Sequence, residues 1–270
     1  MKVKAWDGVI KAPETSRASK PRSTGITMVI DKGLGLNQVD DFVATAGDYV
    51  DVVKLTFGTS AFYDFSLLQE KLRRLKAGGI LVMPGGTFLE VAVWRNAVEP
   101  YLTRARELGF TAIEVSDGTI EIPLRCRREV IRLCLEWGFT VITEVGKKDP
   151  RQALSLSELI EVAKDDITNG AFKVIVEARE AGRGVGIFDQ EGKTKQEEVE
   201  KIASGIGDPD LLIWEAPLKN QQQDLILRFG PNVNLGNIPP EEVLALEALR
   251  QGLRGDTLKK AAEVSNSSKK

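Results

Sequence analysis

The sequence predicts an α/β fold in which eight strand–helix units form a single (β/α)8 TIM barrel. Three observations support this prediction. Eight short apolar runs recur along the chain with helical stretches between them, and several of those stretches end in glycine directly before the next run. The length of 270 residues is also ordinary for one such barrel.

The eight runs are typical of parallel strands that are buried on both faces. Each is nearly continuous in apolar, often β-branched residues, whereas a strand with one solvated face would alternate apolar and polar positions. In chain order they are residues 25–31, 49–57, 80–86, 112–118, 140–146, 173–179, 211–217 and 233–238.

Helical stretches separate these runs, for example residues 66–77 and 124–137, the second with apolar residues on one side at helical spacing. Gly109, Gly138 and Gly170 stand where a helix would end and a strand begin, which is a common C-cap position. A doubly wound open sheet is the competing fold. It is disfavoured because no GxGxxG motif opens the first unit and because eight units suit closure.

The barrel is expected to span residues 24–257. Residues 1–23 form a short N-terminal arm rich in Lys, Pro and Ser, which could pack across one barrel end or reach a neighbouring subunit. Residues 258–270 form a C-terminal tail, which we expect to be frayed from Glu263 onward.

Composition excludes several classes of function. The chain has no histidine, so Ser-His-Asp triads, Cys-His pairs and imidazole-dependent zinc sites are impossible. A net charge of −2 argues against a nucleic-acid binder, which would need a surplus of Lys and Arg. No apolar stretch approaches the roughly 20 residues of a membrane span, and the first 20 residues lack the apolar core of an export signal.

The two cysteines point to a reducing compartment. Cys126 and Cys134 lie eight residues apart in one predicted helix, which separates them by about 12 Å and prevents a disulfide. Two unpaired packing cysteines suit the cytoplasm.

Polar residues at the strand ends are the main indication of function. In parallel barrels the active site forms at the carboxyl ends of the strands. Ionisable groups in apolar strands are costly to bury unless they are paired or bind a metal, and here they recur on six of the eight strands. The residues at these ends are Asp31, Lys32, Lys54, Gly85, Gly86, Thr87, Glu114, Ser116, Asp117, Glu144, Lys147, Lys148, Glu177, Arg179, Glu215, Asn234 and Asn237.

Four glutamates share one pattern, in which an apolar run is followed by Glu and, within two positions, by a small residue. They are Glu114, Glu144, Glu177 and Glu215. Carboxylates that converge at a barrel mouth repel one another unless positive charge lies between them. Magnesium is one source of that charge, and the lysines and arginine of the same rim are the other.

Three lysines are candidates for chemistry at the mouth. Lys54 lies inside the second strand, so its amine is expected to point into the mouth, and a Schiff-base lysine of an aldolase is the alternative. Lys147 and Lys148 follow the fifth strand in a polar loop, where a solvated pair of lysines is the alternative.

Two connections have features of anion-binding loops. Residues 236–241 lead from the eighth strand into a helix with proline in its first turn, where free N–H groups can bind phosphate. Residues 179–192 alternate glycine with arginine and apolar residues over an unusually long connection, which suits a closing lid. A surface loop without a role is the alternative there.

Seven motifs, in this order, resemble the phosphosulfolactate synthase family and cover roughly residues 25–257. They are DKG (31–33), PGGT (84–87), EVSDGTI (114–120), EVGKK (144–148), EAREAGRGVGIFD (177–189), EAPLKNQQ (215–222) and GPNVNLGNIPPEEVLALEALRQGLRGDT (230–257). The family is a (β/α)8 barrel, in agreement with the count of eight runs.

The resemblance implies addition of sulfite to phosphoenolpyruvate with Mg²⁺, giving (R)-2-phospho-3-sulfolactate. This carbon–sulfur lyase reaction begins coenzyme M synthesis in some organisms and serves sulfolactate production in others. Sulfite would attack the methylene carbon, charge would accumulate as an enediolate held by magnesium, and an acid would protonate the adjacent carbon. Without histidine, we expect that acid to be a lysine with a lowered pKa. The partners are thus small molecules, and homo-oligomers are compatible with the sequence.

This reaction assigns roles to the strand-end residues. Lys148 or Lys147 would deliver the proton, and Lys54 would orient an anionic oxygen. The metal-ligand candidates are Glu114, Glu144 and Glu177. The substrate-binding candidates are Asp31, Lys32, Gly86, Thr87, Asp117, Arg179, Arg183, Glu215, Asn234, Gly236 and Asn237, with the arginines and the backbone at 236–237 expected on phosphate or sulfite.

The sequence departs from the family pattern at a few positions. The family usually has Lys-x-Gly-Trp-Gly-Thr-Ser after the second strand, but Thr56 and Phe57 stand at the Gly and Trp positions here. Ala181 replaces the serine of a Glu-Ser-Gly motif. These changes leave two alternatives open: another barrel enzyme acting on a phosphorylated enol or aldol substrate, and a non-catalytic barrel related to plant heat-stress-associated proteins.

Overall fold

Eight strands and ten α-helices form the described part of the chain, which in this computed structural model is the backbone of residues 3–267 and the side chains of residues 3–149 and 151–263. The strands are β1 (Thr27–Asp31), β2 (Val52–Leu55), β3 (Leu81–Pro84), β4 (Ala112–Val115), β5 (Thr140–Val145), β6 (Lys173–Val176), β7 (Leu212–Glu215) and β8 (Leu235–Ile238). The helices are α1 (Leu36–Ala46), α2 (Phe65–Ala77), α3 (Gly86–Trp94), α4 (Val98–Leu108), α5 (Leu124–Glu136), α6 (Leu156–Thr168), α7 (Gln196–Ile206), α8 (Lys219–Phe229), α9 (Val243–Arg250) and α10 (Gly255–Ser267). All eight predicted strands are present, and the predicted helices at 66–77 and 124–137 are α2 and α5.

All strand pairs are parallel, and the hydrogen-bonded order is β3-β2-β1-β8-β7-β6-β5-β4. The two end strands of this order, β3 and β4, also lie against each other. The sheet therefore curls round until its ends meet, which confirms the predicted (β/α)8 barrel and excludes the doubly wound open sheet.

The junction of β3 with β4 is made through Thr111, the residue before β4. Its N–H donates to the carbonyl of Val82 at 3.0 Å, and its hydroxyl oxygen accepts the N–H of Val82 at 2.9 Å. Nearer the carboxyl ends, the N–H of Gly86 donates to the Glu114 carboxylate at 2.5 Å. One backbone hydrogen bond and two bonds to side chains thus complete this junction, whereas backbone ladders form the other seven junctions of the described strands.

Apolar side chains fill both faces of the strands. The outer layer packs the strands against the surrounding helices. The inner layer fills the barrel and consists of Ile26, Met28, Val52, Met83, Ala112, Ile142, Ile175 and Ile213, with Leu81 packed against it. Because successive strand residues point to opposite faces, the residue two positions after an inner one points inward again, one level nearer the carboxyl end.

Glycine ends the helices where the sequence predicts it. Gly109 follows α4 with φ 94°, and its N–H donates to the carbonyls of Ala105 and Arg106. A side chain is unfavourable at this left-handed φ, so glycine lets the chain leave the helix and enter β4 at once.

The N-terminal arm packs across the amino-terminal end of the barrel. Arg17 donates to both carboxylate oxygens of Glu247 at 3.1–3.2 Å and to the carbonyl of Gly25 at 2.9 Å. Lys20 donates to three backbone carbonyls between the strands and helices. Of the two places that the sequence left open for the arm, the structure shows the barrel end.

The C-terminal segment is helical further than the sequence indicates. Helix α10 runs to Ser267, beyond the expected barrel boundary at residue 257 and through the start of the segment expected to fray. Residues 268–270 lie outside the described residues.

Both cysteines are unpaired and lie in α5, as predicted. Burial raises the pKa of the Cys134 thiol to about 12, as expected for a packing cysteine. Across residues 3–267, no helix combines the length and the apolar composition needed to cross a membrane.

Candidate active site

Strand alternation places five charged side chains at one level of the barrel. Lys54, Glu114, Glu144, Glu177 and Glu215 each follow an inner apolar residue by two positions, so each points inward above the apolar layer. None is more than 5% exposed. The structure therefore brings together, at the carboxyl end of the barrel, residues that are up to 161 positions apart in sequence.

A cavity of about 550 Å³ opens above these five side chains. Its size suits a small metabolite, and its walls come from the strand ends and the loops that follow them, where barrel active sites form. The lining residues are Ile30, Lys54, Thr56, Phe57, Gly85, Gly86, Thr87, Glu114, Thr119, Glu144, Lys148, Glu177, Arg179, Glu180, Ala181, Glu215 and Asn237.

Lys54 is surrounded by three carboxylates. Its Nζ lies 2.9 Å from Glu114 Oε1, 3.3 Å from Glu215 Oε1 and 3.5 Å from Glu144 Oε2. Burial would lower the pKa of Lys54, but the three carboxylates outweigh burial and raise that pKa well above its ordinary value. Lys54 is therefore an ammonium ion, whereas a Schiff-base aldolase needs a neutral amine.

The buried glutamates differ in their ionisation. Burial raises the pKa of Glu114 to about 8, although Lys54 opposes this shift. Burial and repulsion from two neighbouring carboxylates raise the pKa of Glu177 well above its ordinary value. Burial also opposes the charge on Glu144, but Lys54 and Lys148 outweigh it and the pKa of Glu144 is lowered. The surroundings thus favour the protonated form of Glu114 and Glu177 and the carboxylate form of Glu144.

Lys148 reaches the cavity from the loop after β5. Its Nζ donates to Thr87 Oγ1 at 2.8 Å and lies 3.9 Å from Glu144 Oε1 and 4.0 Å from Glu177 Oε2. Burial would lower the pKa of Lys148, but these glutamates outweigh burial and raise it. The expectation of a lysine with a lowered pKa is therefore wrong for Lys148, because carboxylates surround its ammonium group.

Glu90 of α3 holds the loop after β4 against the cavity, although it was not among the residues predicted for the site. It accepts the N–H groups of Thr119 at 2.9 Å and Ile120 at 2.6 Å. It also lies 3.2 Å from the hydroxyl of Ser116, which donates to Glu144 at 2.9 Å. The available signal was that Glu90 is the one charged residue of the apolar helix GTFLEVAVW.

All seventeen predicted site residues are described, and ten of them line the cavity. The ten are Lys54, Gly86, Thr87, Glu114, Glu144, Lys148, Glu177, Arg179, Glu215 and Asn237. The seven that do not line it are Asp31, Lys32, Asp117, Lys147, Arg183, Asn234 and Gly236.

Asp31 points away from the cavity, and Lys32 lies outside the residues that line it. Asp31 directly follows Ile30, which lines the cavity, so alternation turns its carboxylate outward, where it contacts Lys71 Nζ at 2.6 Å. Lys32 is exposed and forms an ion pair with Glu180 of the loop after β6.

Lys147 and Asp117 pair with each other beside the cavity. Lys147 Nζ donates to the carbonyl and to Oδ2 of Asp117, both at 2.7 Å, and Arg127 binds the other carboxylate oxygen of Asp117 at 3.2 Å. The two adjacent lysines thus have different surroundings, and Lys148 is the one in the cavity.

The remaining three residues also lie elsewhere. Asn234 accepts the N–H of Ile26 at 2.9 Å and donates to two backbone carbonyls before and at the start of β7, toward the amino-terminal end of the barrel. Gly236 is inside the barrel, where a Cβ would lie 2.6 Å from Met28 Cε. Arg183 is exposed.

The long loop after β6 forms one wall of the cavity. Arg179, Glu180 and Ala181 line the cavity, while Ile187 and Phe188 further along are buried. Phe188 also pairs with Thr194 in an antiparallel bridge. The near half of this predicted lid therefore faces the cavity, and its far half is packed against the barrel.

Thr56 and Phe57, where the sequence departs from the family pattern, also line the cavity. Phe57 has a left-handed backbone with φ 57° and a ring that is 56% exposed at the mouth. Their position next to Lys54 in sequence was the signal that could have placed them in the site.

The chemistry of the buried carboxylates would suit a magnesium ion that takes only part of its ligands from the protein. Among the described side chains, no three acidic or cysteine groups form a ready-made metal centre. Magnesium, however, commonly takes one or two protein carboxylates together with substrate and water. Glu177 Oε2 is buried without a hydrogen-bond partner among the described residues, which suits such a ligand. When all are ionised, four buried glutamates against two lysines leave two negative charges, and one divalent cation would balance them.

Comparison with known sequences identifies the family. A sequence model described as (2R)-phospho-3-sulfolactate synthase matches residues 15–256. Phosphosulfolactate synthase of Methanothermobacter thermautotrophicus is 42% identical over 246 residues, which cover 90% of this chain and 95% of the relative. The protein HEAT-STRESS-ASSOCIATED 32 of Arabidopsis thaliana is 21% identical over 260 residues, covering 87% of this chain and 88% of that protein.

Comparison with solved structures agrees with the fold. The YdjI aldolase of Escherichia coli K12 superposes with a TM-score of 0.54 and 13% sequence identity, covering 89% of this chain and 90% of the aldolase. An identity this low supports the barrel alone and says nothing about the reaction. The family match is different in kind, because it extends over nearly the whole barrel and includes all ten predicted residues that line the cavity. The chain belongs to the (2R)-phospho-3-sulfolactate synthase family of enzymes.

Proposed function

We propose that this chain adds sulfite to phosphoenolpyruvate, in the presence of Mg²⁺, to give (R)-2-phospho-3-sulfolactate. The proposal depends most on the family match over residues 15–256. The cavity supports it when Mg²⁺ is bound, because the cation, together with Lys148 and Arg179, would supply the positive charge that the buried glutamates otherwise cancel. A reaction between two anions needs such local positive charge.

The reaction forms one carbon–sulfur bond and one carbon–hydrogen bond. The lone pair on the sulfur of sulfite attacks the methylene carbon of phosphoenolpyruvate. The electrons of the double bond move to the adjacent carbon and its carboxylate, which gains enediolate character. A proton then adds to that carbon, and the phosphate ester remains intact.

Lys148 is the proposed proton donor. Its ammonium group faces the cavity, and the Thr87 hydroxyl, Glu144 and Glu177 fix its position. Its raised pKa keeps it protonated at neutral pH, so the proton is available before substrate arrives. Lys147 lacks this position because Asp117 holds its amine outside the cavity.

Lys54 is proposed to organise the carboxylates. Its three contacts are with Glu114, Glu144 and Glu215, which matches the three protons of an ammonium group. The anionic oxygens that it orients are therefore those of the protein, and its charge keeps Glu144 ionised.

Glu177 and Glu144 are the proposed protein ligands of magnesium, directly or through water. Glu177 offers an oxygen that accepts no hydrogen bond from the described residues, and the lowered pKa of Glu144 favours its carboxylate form. When bound, magnesium supplies positive charge that stabilises the substrate carboxylate as negative charge accumulates on it. Arg179 at the mouth, and Gly86 and Thr87 at the amino terminus of α3, are the proposed contacts for the remaining anionic groups.

We place this reaction in the cytoplasm, because both cysteines are unpaired and such thiols persist in reducing compartments.

The direct test is to incubate the protein with phosphoenolpyruvate, sulfite and Mg²⁺ and to follow phosphorus NMR. We expect the enol phosphate resonance of phosphoenolpyruvate to be replaced by the resonance of an alkyl phosphate. This should happen only when sulfite is present and only without a chelator. Unchanged phosphoenolpyruvate under all conditions contradicts the proposal.

Two further assays distinguish the alternatives. An aldolase would be trapped covalently at Lys54 by borohydride with a carbonyl substrate, which we do not expect because Lys54 is charged. A non-catalytic barrel would bind neither phosphoenolpyruvate nor magnesium.

A further inference from the structure

The side chain of Asn237 is a buried amide whose oxygen has no partner among the described residues. Asn237 lies in β8, is 4% exposed and lines the cavity. Its Oδ1 is buried and accepts no hydrogen bond from the described part of the chain. An unpaired buried polar atom is costly, so a buried amide without a partner in a functional cavity points to a ligand that fixes its orientation and completes its hydrogen bonding.

The backbone limits which residue can occupy this position. Asn237 has φ 55°, in the left-handed region that glycine adopts freely and that asparagine and aspartate tolerate better than other residues. Glycine would offer no hydrogen-bonding side chain. Aspartate would add a negative charge to a cavity that already contains Glu177 and Glu215. Of these three residues, asparagine is the one that combines a tolerated backbone, a hydrogen-bonding side chain and neutrality.

Neutrality matters because the proposed substrates are anions. Ionised phosphoenolpyruvate and sulfite present acceptor oxygens, so they need a donor from the protein. An asparagine amide can turn by 180° without a change of shape, which exchanges its oxygen for an NH₂ group. A carboxylate in the same place could only repel them.

We propose that the side-chain amide of Asn237 donates a hydrogen bond to an anionic oxygen of substrate and is a specificity-determining contact. This inference rests on the proposed function and adds to it a contact made by the amide group rather than by the backbone of this segment. The shared chemistry is an oxoanion, which either phosphoenolpyruvate or sulfite can supply.

Two substitutions distinguish the effect of the side-chain amide from the effect of the backbone conformation at position 237. Asn237→Gly removes the amide and keeps a residue suited to φ 55°. Asn237→Asp keeps the shape and the backbone preference but replaces the donor by a negative charge. Asn96 provides the matched control, because it has φ 54° and is exposed between α3 and α4, outside the cavity.

The experiment uses calorimetry in the presence of Mg²⁺ to measure two dissociation constants, one for phosphoenolpyruvate alone and one for sulfite alone. The proteins are wild type and the Gly and Asp variants at positions 237 and 96. We expect Asn237→Gly to weaken one of the two ligands by roughly 10- to 100-fold, as for a lost hydrogen bond to a charged group. Asn237→Asp should weaken the same ligand further, and the Asn96 variants should bind as wild type does. The ligand that is weakened identifies the oxoanion.

Unchanged constants for both ligands in Asn237→Gly overturn the proposal, and so does equal weakening in Asn96→Gly, which would assign the effect to the backbone. If wild type binds phosphoenolpyruvate or sulfite but forms no phosphosulfolactate, the proposed function fails while the same constants still decide the role of the amide. If wild type binds neither ligand, both proposals fall. Thermal unfolding of each variant verifies that it is folded.

Discussion

Lys54 shows how one side chain can determine the charge state of a whole cavity. Its ammonium group contacts carboxylates from β4, β5 and β7, so it joins strands that are distant in sequence. Without it, Glu114, Glu144 and Glu215 would be close together in a buried site with no cation between them. Such carboxylates take up protons or separate, and either change disrupts the site.

Lys54→Met is therefore expected to abolish activity and to lower the free energy of unfolding by about 3–5 kcal/mol, the range for breaking a buried ion pair. Urea unfolding and the phosphorus NMR assay measure the two effects. Lys173→Met is the matched control, because Lys173 is also a strand lysine, 4% exposed, but donates to the Asp210 carbonyl near the start of β7, outside the cavity. A Lys54→Met enzyme with wild-type turnover would contradict the role given to Lys54.

The neighbouring lysines of the loop after β5 make an internal comparison. Lys148→Met should lower kcat by about 10²- to 10⁴-fold, the range for loss of a general acid. Lys147→Met should change kcat far less, because the Lys147 amine is bound to Asp117 outside the cavity. Steady-state kinetics with phosphoenolpyruvate and sulfite give both values. Near wild-type rates in both variants would remove lysine from proton delivery.

The sequence indicated which residues lie at the strand ends better than it indicated where their side chains point. The five inward charges were identifiable because an apolar residue two positions earlier faces the barrel interior. The same rule turns Asp31 outward, since it directly follows the inward-facing Ile30, so its absence from the cavity wall could also have been predicted. Lys147 and Lys148 could not be separated in this way, because they lie in a loop whose geometry depends on contacts with Asp117 and Thr87.

At the level of elements, Gly186 connects the lid to the cavity wall. It has φ 57°, and a Cβ at this position would lie 2.0 Å from the carbonyl oxygen of Glu177. The loop can therefore pass this close to the end of β6 only where residue 186 lacks a side chain.

Gly186→Ala should displace either the loop or Glu177, and so reduce both stability and turnover. Gly138→Ala is the control, because Gly138 has φ 83° and a Cβ there would meet no atom of the described residues within 4 Å, so only the backbone preference is lost. That preference is worth about 1–2 kcal/mol, and Gly186→Ala should cost more than Gly138→Ala in chemical unfolding. Equal costs with wild-type kcat in both variants would show that the close approach to Glu177 has no consequence.

The sequence predicted the number and order of the elements better than their ends. The run at 49–57 contains β2 only at Val52–Leu55, because Thr56 begins a tight turn in which Phe57 and Gly58 are left-handed. The last residues of this run therefore belong to the turn, so the strand is shorter than the run. Helix α10 was missed because its polar composition is also typical of a solvated tail.

At the level of the whole molecule, barrel closure could be predicted from eight apolar runs, whereas the position of the arm could not. The arm is held by ion pairs rather than by a periodic apolar pattern, and Arg17 gives no sequence signal that its partner is Glu247, 230 residues away. Such long-range pairing depends on the completed fold.

Arg17→Met tests what the arm contributes and how that contribution depends on pH. Burial would raise the pKa of Glu247, but Arg17 outweighs burial and the pKa is lowered. A carboxyl with a lowered pKa stabilises the folded state fully above its ordinary pKa, and this stability is lost as the pH falls through the folded value. The variant should lose about 3 kcal/mol at neutral pH and less in acid below the ordinary pKa of glutamate. Urea unfolding of both proteins across that pH range measures the difference, and a loss that grows in acid would contradict the assignment.

The junction between β3 and β4 shares Glu114 with the cavity. Glu114 lines the cavity and also accepts the N–H of Gly86 across that junction. A ligand that displaces the Glu114 carboxylate would therefore also weaken a hydrogen bond at the one junction of the described strands that has no backbone ladder. Ligand binding in the cavity and closure of the barrel between β3 and β4 should then be linked. Hydrogen exchange at the Gly86 and Thr111 amides should therefore report whether the enzyme is empty or loaded, even at saturating metal and without turnover.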